Sequence, residues 1–501
     1  MTEATSEAPS LAMEGEHGNT SGTEPTLEVK RTRPPTYSAP DCTPISYDKK
    51  FESQKPHECF LRYDEFFRQD INNDEKRDIF HFSKNEKNEL DFENNPFATW
   101  RNGKVWTGRW IGKVTYTPAG RKSSVTLEVR PRFGNPSVFA MIEEAFSCNI
   151  VRNIGGLNSA QDVESLMKLI VPFVWSQKIA DANLYGVPRN TVDVFYKGVT
   201  IKGRLDVRKS IIPLFRQKEV VSKRREKQID ETIAQIVLQA YRKLGKQADR
   251  KFVQQDNATE AIRDFETANY PLRRVTENEY QHIRYKPIYA QYKDVVDFSW
   301  QILKSSFSES DGSKNSFTGF LDMGEIWEIY LRSLLRRKFP DWTVSSPEVK
   351  TYHGAFWERN IIPDIVLEKG DKVAIFDAKW KRMKGEKREV KLSDLDRGDF
   401  FQIHSYIAYY KAIGKEVVAG GLLYPLDNEF PVGKDNTRAS LWGKDNGTKF
   451  IVDGICLADS DKLEDYTKYK EEISSRTEKF IERIKGYLGE ARADLKALAT
   501  D

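Results

Sequence analysis

Two aspartates and one lysine interrupt the two apolar segments of the stretch IIPDIVLEKGDKVAIFDAKWK, which runs from Ile361 to Lys381. The stretch has the pattern of two strands joined by a tight turn. Asp364, Asp377 and Lys379 fall within those strands. A charge that is buried in a hairpin costs free energy unless a group of opposite charge pairs with it. These three side chains are therefore the first candidates for chemistry.

A turn centred on Gly370 and Asp371 is a two-residue loop of the kind that hairpins favour. That register sets Asp364 directly opposite Asp377, with Cβ atoms about 5 Å apart, and the strand period of two puts Lys379 on the same face. Two carboxylates this close repel unless a cation lies between them, and Mg²⁺ prefers such oxygen ligands. The pattern predicts a metal-dependent hydrolytic site; the alternative is an ordinary salt-bridged, exposed hairpin.

Two flanking segments contain further polar residues in positions that suit one site. Upstream, LDMGEIWEIYLRSLLRRKF has apolar residues at helical spacing and includes Glu325 and Glu328. Downstream, DFFQIHSYIAYYKAIG contains Gln402 and Tyr406 in the arrangement QxxxY. We therefore expect a helix on each side of the hairpin.

The order of these elements resembles the PD-(D/E)XK nuclease signature, with Pro363-Asp364 followed by Asp377-Ala-Lys379. The segments DMGEIWEIYLRSLLRR, DFFQIHSYIAYY and GGLLYP are similar to the nuclease domain of McrC, the cleavage subunit of McrBC 5-methylcytosine restriction systems. WIGKVTYTP, LEVRPRFG and KGRLDVRKS resemble segments that precede this domain in that family. The resemblance covers most of residues 100–430.

This resemblance implies roles for individual residues. Asp364, Asp377 and Glu328 would bind Mg²⁺, with Mn²⁺ as an alternative ion, and Glu328 is preferred to Glu325 as the helical acid. Lys379 would position or activate the attacking water and stabilise the negative charge that develops on the phosphate. All four side chains are expected to form the catalytic site.

The resemblance also implies partners. Gln402 and Tyr406 would steady the site or contact the DNA backbone. McrC-type nucleases act with a separate AAA+ GTPase, the McrB-like subunit, and this sequence contains no GxxxxGK[ST] phosphate loop. We therefore expect no nucleotide to bind this chain. By analogy alone, the β-rich N-terminal module is the candidate for docking the GTPase.

A dense run of basic residues, KWKRMKGEKREVK, follows the second strand of the hairpin. Basic side chains beside a site that cuts a polyanion would contact phosphates and make binding depend on salt. A solvated loop is the alternative. The residues predicted to contact DNA are Lys381, Arg382, Lys384, Lys387 and Arg388.

Bulk composition narrows the class of protein. The chain has 501 residues and a formal net charge of +4 from 79 basic and 75 acidic side chains, so net charge alone does not argue for nucleic-acid binding. Its four cysteines lack the spacing of a zinc site. No apolar run approaches the roughly 20 residues of a membrane span, and the first residues lack a signal-peptide pattern. A soluble, cytoplasmic protein is expected.

Changes in residue composition and hydrophobic pattern along the chain predict five regions. A disordered polar tail (1–40) precedes a β-rich module (41–150) and a mainly helical middle region (151–310), which a hairpin at 191–210 interrupts. The α/β nuclease domain spans 311–460, and a charged C-terminal helix spans 461–501. The predicted fold of the nuclease domain is restriction-endonuclease-like, with a mixed central sheet flanked by helices.

Taken together, the residues and the resemblance predict a Mg²⁺-dependent DNA endonuclease subunit that acts with a separate AAA+ GTPase. Two alternatives remain open. One is a stand-alone PD-(D/E)XK nuclease or DNA-end-processing enzyme, and the other is a non-catalytic adaptor that binds DNA.

Overall fold

The computed structural model describes residues 36–43, 80–82, 98–101, 104–116, 125–146, 163–245, 252–253, 256–304, 319–351, 359–381, 396–429, 437–438, 447–457 and 466–490. Strands are β1 (Thr36–Pro40), β2 (Phe80–Phe82), β3 (Ala98–Arg101), β4 (Lys104–Thr107), β5 (Trp110–Tyr116), β6 (Val125–Arg130), β7 (Arg189–Gly198), β8 (Arg204–Leu205), β9 (Val220–Ile229), β10 (Gly319–Asp322), β11 (Thr343–Ser345), β12 (Val349–Thr351), β13 (Arg359–Ile361), β14 (Ile365–Lys369), β15 (Lys372–Ala378), β16 (Glu416–Leu426), β17 (Thr437–Arg438) and β18 (Lys449–Cys456). Helices are α1 (Gly134–Ala145), α2 (Val163–Ala182), α3 (Val207–Gln217), α4 (Glu231–Gly245), α5 (Asp256–Thr267), α6 (Glu277–Gln281), α7 (Tyr292–Lys304), α8 (Met323–Lys338), α9 (Arg397–Ala412) and α10 (Tyr466–Leu488).

A six-stranded sheet forms the centre of the C-terminal part, in the order β11-β14-β15-β16-β18-β17. Strands β15, β16 and β18 are parallel, whereas β14 pairs with β15 as an antiparallel hairpin. Helix α9 covers one face through Ile403 and Ile407, which pack with Ile375. Helices α8 and α10 cover the other face, where Phe376 is buried. Helices therefore shield both faces of the sheet from solvent, which makes a charged side chain inside the sheet unusual.

The C-terminal helix α10 fits the sequence prediction. Its apolar stripe of Ile473, Phe480, Ile484 and Leu488 is buried against the sheet. The helix begins at Tyr466, and residues 491–501 of the predicted helical region lie outside the described part of the chain.

The N-terminal five-stranded sheet has the order β1-β6-β5-β10-β2. Strand β1 runs parallel to β6, so the polar tail predicted for residues 1–40 gives way to regular structure at Thr36. Residues 1–35 lie outside the described part. Strand β10 pairs with β5, although the sequence prediction assigned β10 to the nuclease domain. The predicted boundary near residue 310 therefore does not separate the two sheets.

The middle region contains helices α2, α4, α5 and α7, which pack on one another. Helix α4 fits the mainly helical character predicted for this region, and Asp230 caps it by accepting a hydrogen bond from the backbone N–H of Ile233 at 3.0 Å. The predicted hairpin at 191–210 is wrong in its second strand: β7 pairs with β9 along its whole length, from Arg189↔Ile229 to Gly198↔Val220. Helix α3 intervenes because Asp206 caps its start.

Strands β7, β8 and β9 together with helix α3 form a projecting unit, which we call the arm (residues 189–229). Most of its side chains are exposed, including several basic residues of β9. Several large apolar side chains of α3 are also exposed; Phe215 is 85% and Ile212 is 66% accessible. Within the described residues, none of the helices combines the length and apolar character that crossing a membrane requires.

Candidate active site

The hairpin β14–β15 has the register that the sequence predicts. Ile365 pairs with Phe376 and Lys369 with Lys372, and the turn places Gly370 at φ 62°, where glycine avoids a steric penalty. Asp364 directly precedes β14, and its Oδ2 accepts a hydrogen bond from the backbone N–H of Ala378 at 2.8 Å. The two predicted acids therefore meet at the open end of the hairpin.

Asp377 is fully buried, and in the described part of the chain its carboxylate has no hydrogen bond from a backbone N–H. Lys379 Nζ approaches Oδ2 to 2.5 Å as an ion pair. Burial raises the pKa of Asp377, although the ammonium of Lys379 opposes this. The pKa of Asp364 is raised well above 3.8, first by burial and then by the charges of Asp377 and Glu328. The surroundings therefore disfavour a state in which both carboxylates are ionised.

Lys379 lies among several acceptors. Its Nζ donates a hydrogen bond to Gln402 Oε1 at 2.9 Å and lies 3.4 Å from Asp399 Oδ1. Burial by itself would lower the pKa of Lys379, but the carboxylates of Asp377, Asp399 and Asp364 together raise it. The side chain is consequently a stable cation in this arrangement.

Helix α9 provides one continuous row of polar side chains. Gln402 Nε2 donates to the phenol oxygen of Tyr406 at 2.8 Å, and that phenol donates to the carbonyl of Ile362 at 3.2 Å. The structure thus brings the predicted supporting residues Gln402 and Tyr406 to Lys379. Asp399, which sequence reasoning missed, begins the row. Its position three residues before Gln402 is the signal that could have found it, because residues three apart share a helix face.

Glu328 stands apart from the two hairpin acids. It forms an ion pair with Arg332 one turn further along α8, and its charge raises the pKa of Asp364. Glu325, the less favoured acid, is buried in the first turn of the same helix. Within the described residues, no group of three or more His, Cys, Asp or Glu side chains is arranged to hold a metal. Asp364 and Asp377 are together, and the charge of Glu328 acts on Asp364.

The predicted DNA-contacting run is only partly described. Lys381 Nζ lies 2.8 Å from Asp399 Oδ2 and 3.8 Å from Asp396, so two acids neutralise it in this structure. Arg382, Lys384, Lys387 and Arg388 lie outside the described residues.

The strand end that presents Lys379 is fixed from behind by Trp380. The indole N–H of Trp380 donates at 2.6 Å to Asp41 Oδ2, and Asp41 Oδ1 accepts from the backbone N–H of Arg132 at 2.6 Å. The backbone N–H of Lys379 donates to the carbonyl of Leu423 on β16 at 2.9 Å. The N-terminal segment and the central sheet together therefore set the position of the lysine.

The fold and the site define a mixed α/β protein in which an acidic pair and a lysine occupy the end of a core hairpin. The family model for the McrBC 5-methylcytosine restriction system component matches residues 107–425. The chain therefore belongs to that family, as its sequence predicted.

Two solved structures are similar to this chain. One is a refined half-complex from a tetradecameric assembly of Thermococcus gammatolerans McrB AAA+ hexamers with bound McrC, at 13% identity and a TM-score of 0.43, covering 88% of this chain and 99% of that chain. The other is a cryo-EM structure of the Thermococcus gammatolerans McrBC complex, at 13% identity and a TM-score of 0.31, covering 61% of this chain and 88% of that chain. No curated protein matches the sequence.

Proposed function

We propose that this protein is the Mg²⁺-dependent DNA endonuclease subunit of an McrBC-type restriction system, with a PD-(D/E)XK site on a restriction-endonuclease-like sheet. One observation carries the proposal: Asp364 and the fully buried Asp377 meet at the end of the hairpin, with the ammonium of Lys379 at 2.5 Å from Asp377 Oδ2. Family membership supports the same reading. A buried acidic pair that served only stability would have to be paired more completely.

The donor set fits a hard divalent cation. Such ions take carboxylate oxygens, and the oxygens of Asp377 and Asp364 are free of competing donors except Lys379 and one backbone N–H. When bound, Mg²⁺ would polarise the scissile phosphate and lower the pKa of a bound water. Asp364 and Asp377 would hold it, with Glu328 contributing directly or through a water once it parts from Arg332.

Lys379 acts in this scheme as a cation rather than as a base. Its raised pKa means that Nζ keeps its proton at neutral pH, so it cannot accept one from water. The ammonium instead orients the attacking water and stabilises the charge that develops on the phosphate oxygens. Gln402 and Tyr406 keep it aimed through their hydrogen bonds.

Cleavage by matched variants tests the proposal. Methylated and unmethylated plasmids are incubated with Mg²⁺ and either wild type, Asp377→Asn or Asp371→Asn, with and without a McrB-like GTPase and GTP. Asp371 is an exposed acid at the far end of the same hairpin, so its variant should cleave like wild type. Loss of cleavage in Asp377→Asn alone supports the site. Equal behaviour of wild type and Asp377→Asn in every mixture contradicts it.

The same mixtures separate the rival functions. Cleavage that requires the GTPase and GTP supports an effector subunit. Cleavage by this chain alone points to a stand-alone nuclease or a DNA-end-processing enzyme. DNA binding without cleavage under all conditions would indicate the non-catalytic adaptor.

We also propose that the AAA+ GTPase binds the arm, rather than the β-rich N-terminal module. Large exposed apolar surfaces mark protein-binding sites, and Ile212 and Phe215 lie exposed on α3. The N-terminal module instead packs on α8, where Glu144 accepts two hydrogen bonds from Arg337 at 2.8 Å. The arm therefore has free surface where the module is engaged within the chain.

Surface substitutions test this docking surface. The double variant Ile212→Ser and Phe215→Ser should lose binding to the GTPase in a pull-down while it keeps its thermal stability. Leu272→Ser is the matched control, because Leu272 is exposed at 53% but lies outside the arm. Unchanged binding by the double variant would exclude the arm as the main docking surface.

A further inference from the structure

Lys379 faces two carboxylates that lie on different elements. Asp377 belongs to strand β15, and Asp399 lies in the first turn of α9. The ammonium is 2.5 Å from Asp377 Oδ2 and 3.4 Å from Asp399 Oδ1. In this structure the ammonium of Lys379 therefore pairs with Asp377, and Asp399 lies beside it as a second acceptor.

Asp399 already pairs with Lys381, whose Nζ lies 2.8 Å from Oδ2, and its Oδ1 faces Lys379 at 3.4 Å, so it can receive the ammonium of Lys379 as a second partner. Its side chain is only 9% exposed, so the protein interior gives its charge a strong influence on nearby groups. Gln402 lies one turn further along the same helix and already holds Lys379 Nζ at 2.9 Å. A small rotation of the lysine side chain would exchange Asp377 for Asp399 without breaking the contact to Gln402.

A lysine and a divalent cation compete for the oxygens of Asp377. A cation bound there repels the ammonium of Lys379. The ammonium must then move to another acceptor, or its charge is left without a partner of opposite charge. Asp399 supplies that acceptor beside the site, where the lysine remains within reach of a phosphate.

We propose that Asp399 is a positioning residue that takes over the ammonium of Lys379 when a divalent cation binds to Asp364 and Asp377. This inference rests on the proposed function, because it requires a cation at the acidic pair. Asp399 is assigned a role different from that of Asp364 and Asp377, because its carboxylate contacts the ammonium groups of Lys379 and Lys381.

Mn²⁺ binding to the full chain without DNA tests the inference, with free Mn²⁺ measured by electron paramagnetic resonance. Outer-shell partners of metal ligands typically contribute 10–100-fold to affinity, so Asp399→Asn should weaken Mn²⁺ binding by about 10-fold. Asp399→Glu keeps the charge and should recover most of the affinity. Asp396→Asn is the matched control, because asparagine still caps α9 and Asp396 lies 3.8 Å from Lys381 rather than beside Lys379.

A double-mutant cycle shows whether Asp399 acts through the lysine. In a Lys379→Met background, Asp399→Asn should cause no further loss of Mn²⁺ affinity. A loss that persists in that background would mean that Asp399 binds the ion directly, and the inference would be wrong. Wild-type affinity in Asp399→Asn would also overturn it. Thermal unfolding in EDTA verifies that each variant is folded.

The outcomes distinguish this inference from the proposed function. If Asp377→Asn abolishes Mn²⁺ binding but Asp399→Asn does not weaken it, only the positioning role fails. If wild type binds no Mn²⁺, or Asp377→Asn binds it equally well, the proposed function fails and the positioning role fails with it.

Discussion

Replacing Asp364 by asparagine should stabilise the protein in the absence of divalent cations. Burial, Asp377 and Glu328 all raise the pKa of Asp364, in that order of importance. Its ionised form is therefore unfavourable in the folded state at neutral pH. Asparagine removes the charge but keeps an oxygen that can accept the hydrogen bond from the backbone N–H of Ala378. A residue proposed to bind the cation thus reduces stability, as active-site charges often do.

The size of the effect follows from the geometry of the hairpin. If both carboxyl groups were ionised, two unit charges about 5 Å apart would repel by roughly 3 kcal/mol at an effective dielectric constant of about 20, and this value sets the upper limit of the effect. Lys379 offsets part of this repulsion, so the gain should be about 2 kcal/mol, or roughly 4–8 °C in midpoint for a domain of 150–250 residues.

The sign of the pH dependence is fixed by the direction of the shift. Below 3.8 the carboxyl of Asp364 is protonated in both the folded and the unfolded state. As the pH rises, the unfolded chain releases the proton while the folded chain retains it, so folding stability falls until the folded-state pKa is passed. The difference in folding stability between Asp364→Asn and wild type should therefore grow from pH 5 to pH 8.

Thermal unfolding in EDTA across that pH range measures the difference, with Asp371→Asn as the control for loss of one charge. Mg²⁺ at 100 times its dissociation constant should then stabilise the folded wild type by about 2.7 kcal/mol and so raise its unfolding midpoint. The midpoint of Asp364→Asn should not rise. If Asp364→Asn melts at or below the wild-type temperature in EDTA at pH 8, the acidic pair is not destabilising and the argument for a cation there is refuted.

Three further substitutions have specific expected outcomes. Tyr406→Phe removes the link from Gln402 to the hairpin and should slow single-turnover cleavage by about 10-fold, whereas Tyr410→Phe, one turn further along α9, should not. Trp380→Phe leaves a buried carboxylate without its indole donor and should cost about 1.5–3 kcal/mol in urea unfolding. Gly454→Ala should cost about 3 kcal/mol, because a Cβ there would overlap a backbone carbonyl of β16.

Matched substitutions elsewhere should behave differently. Trp342→Phe removes an indole donor from Glu490, which is partly exposed, so water can replace the lost hydrogen bond and the cost should be smaller. Gly486→Ala in α10 meets open space and should stabilise the helix by about 0.5–1 kcal/mol. Similar losses in Trp342→Phe and Trp380→Phe would contradict the importance of burial in the contact to Asp41.

Local patterns predicted the hairpin and its flanking helices. The tight turn at Gly370 fixes the register, and the register fixes which acids face each other, so the meeting of Asp364 and Asp377 could be derived from the sequence alone. Helix α9 could be predicted in the same way, because Gln402 and Tyr406 share one helical face. These features depend on contacts between residues that are close in sequence.

Features that depend on distant residues could not be derived. The contact between Asp41 and Trp380 joins residues 339 positions apart. Strand β7 was predicted to pair with the next apolar segment. In the structure it pairs instead with β9, through ten consecutive residue pairs. The sequence pattern also gave no reason to place β10 in the N-terminal sheet. A four-residue strand is too short for its apolar pattern to indicate which sheet it joins.

These distant contacts bear on how the candidate site can be controlled. Lys379 and Trp380 are consecutive, so the side chain of the lysine and the anchor to Asp41 share one short piece of backbone. Strand β10 leads directly into α8, and Asp322 at that junction both caps the helix and pairs with Arg109 at 2.6 Å. The N-terminal sheet thus holds the helix that carries Glu328 as well as the strand end that carries Lys379. Removal of the N-terminal module should therefore disturb the site itself, and cleavage tests require the whole chain.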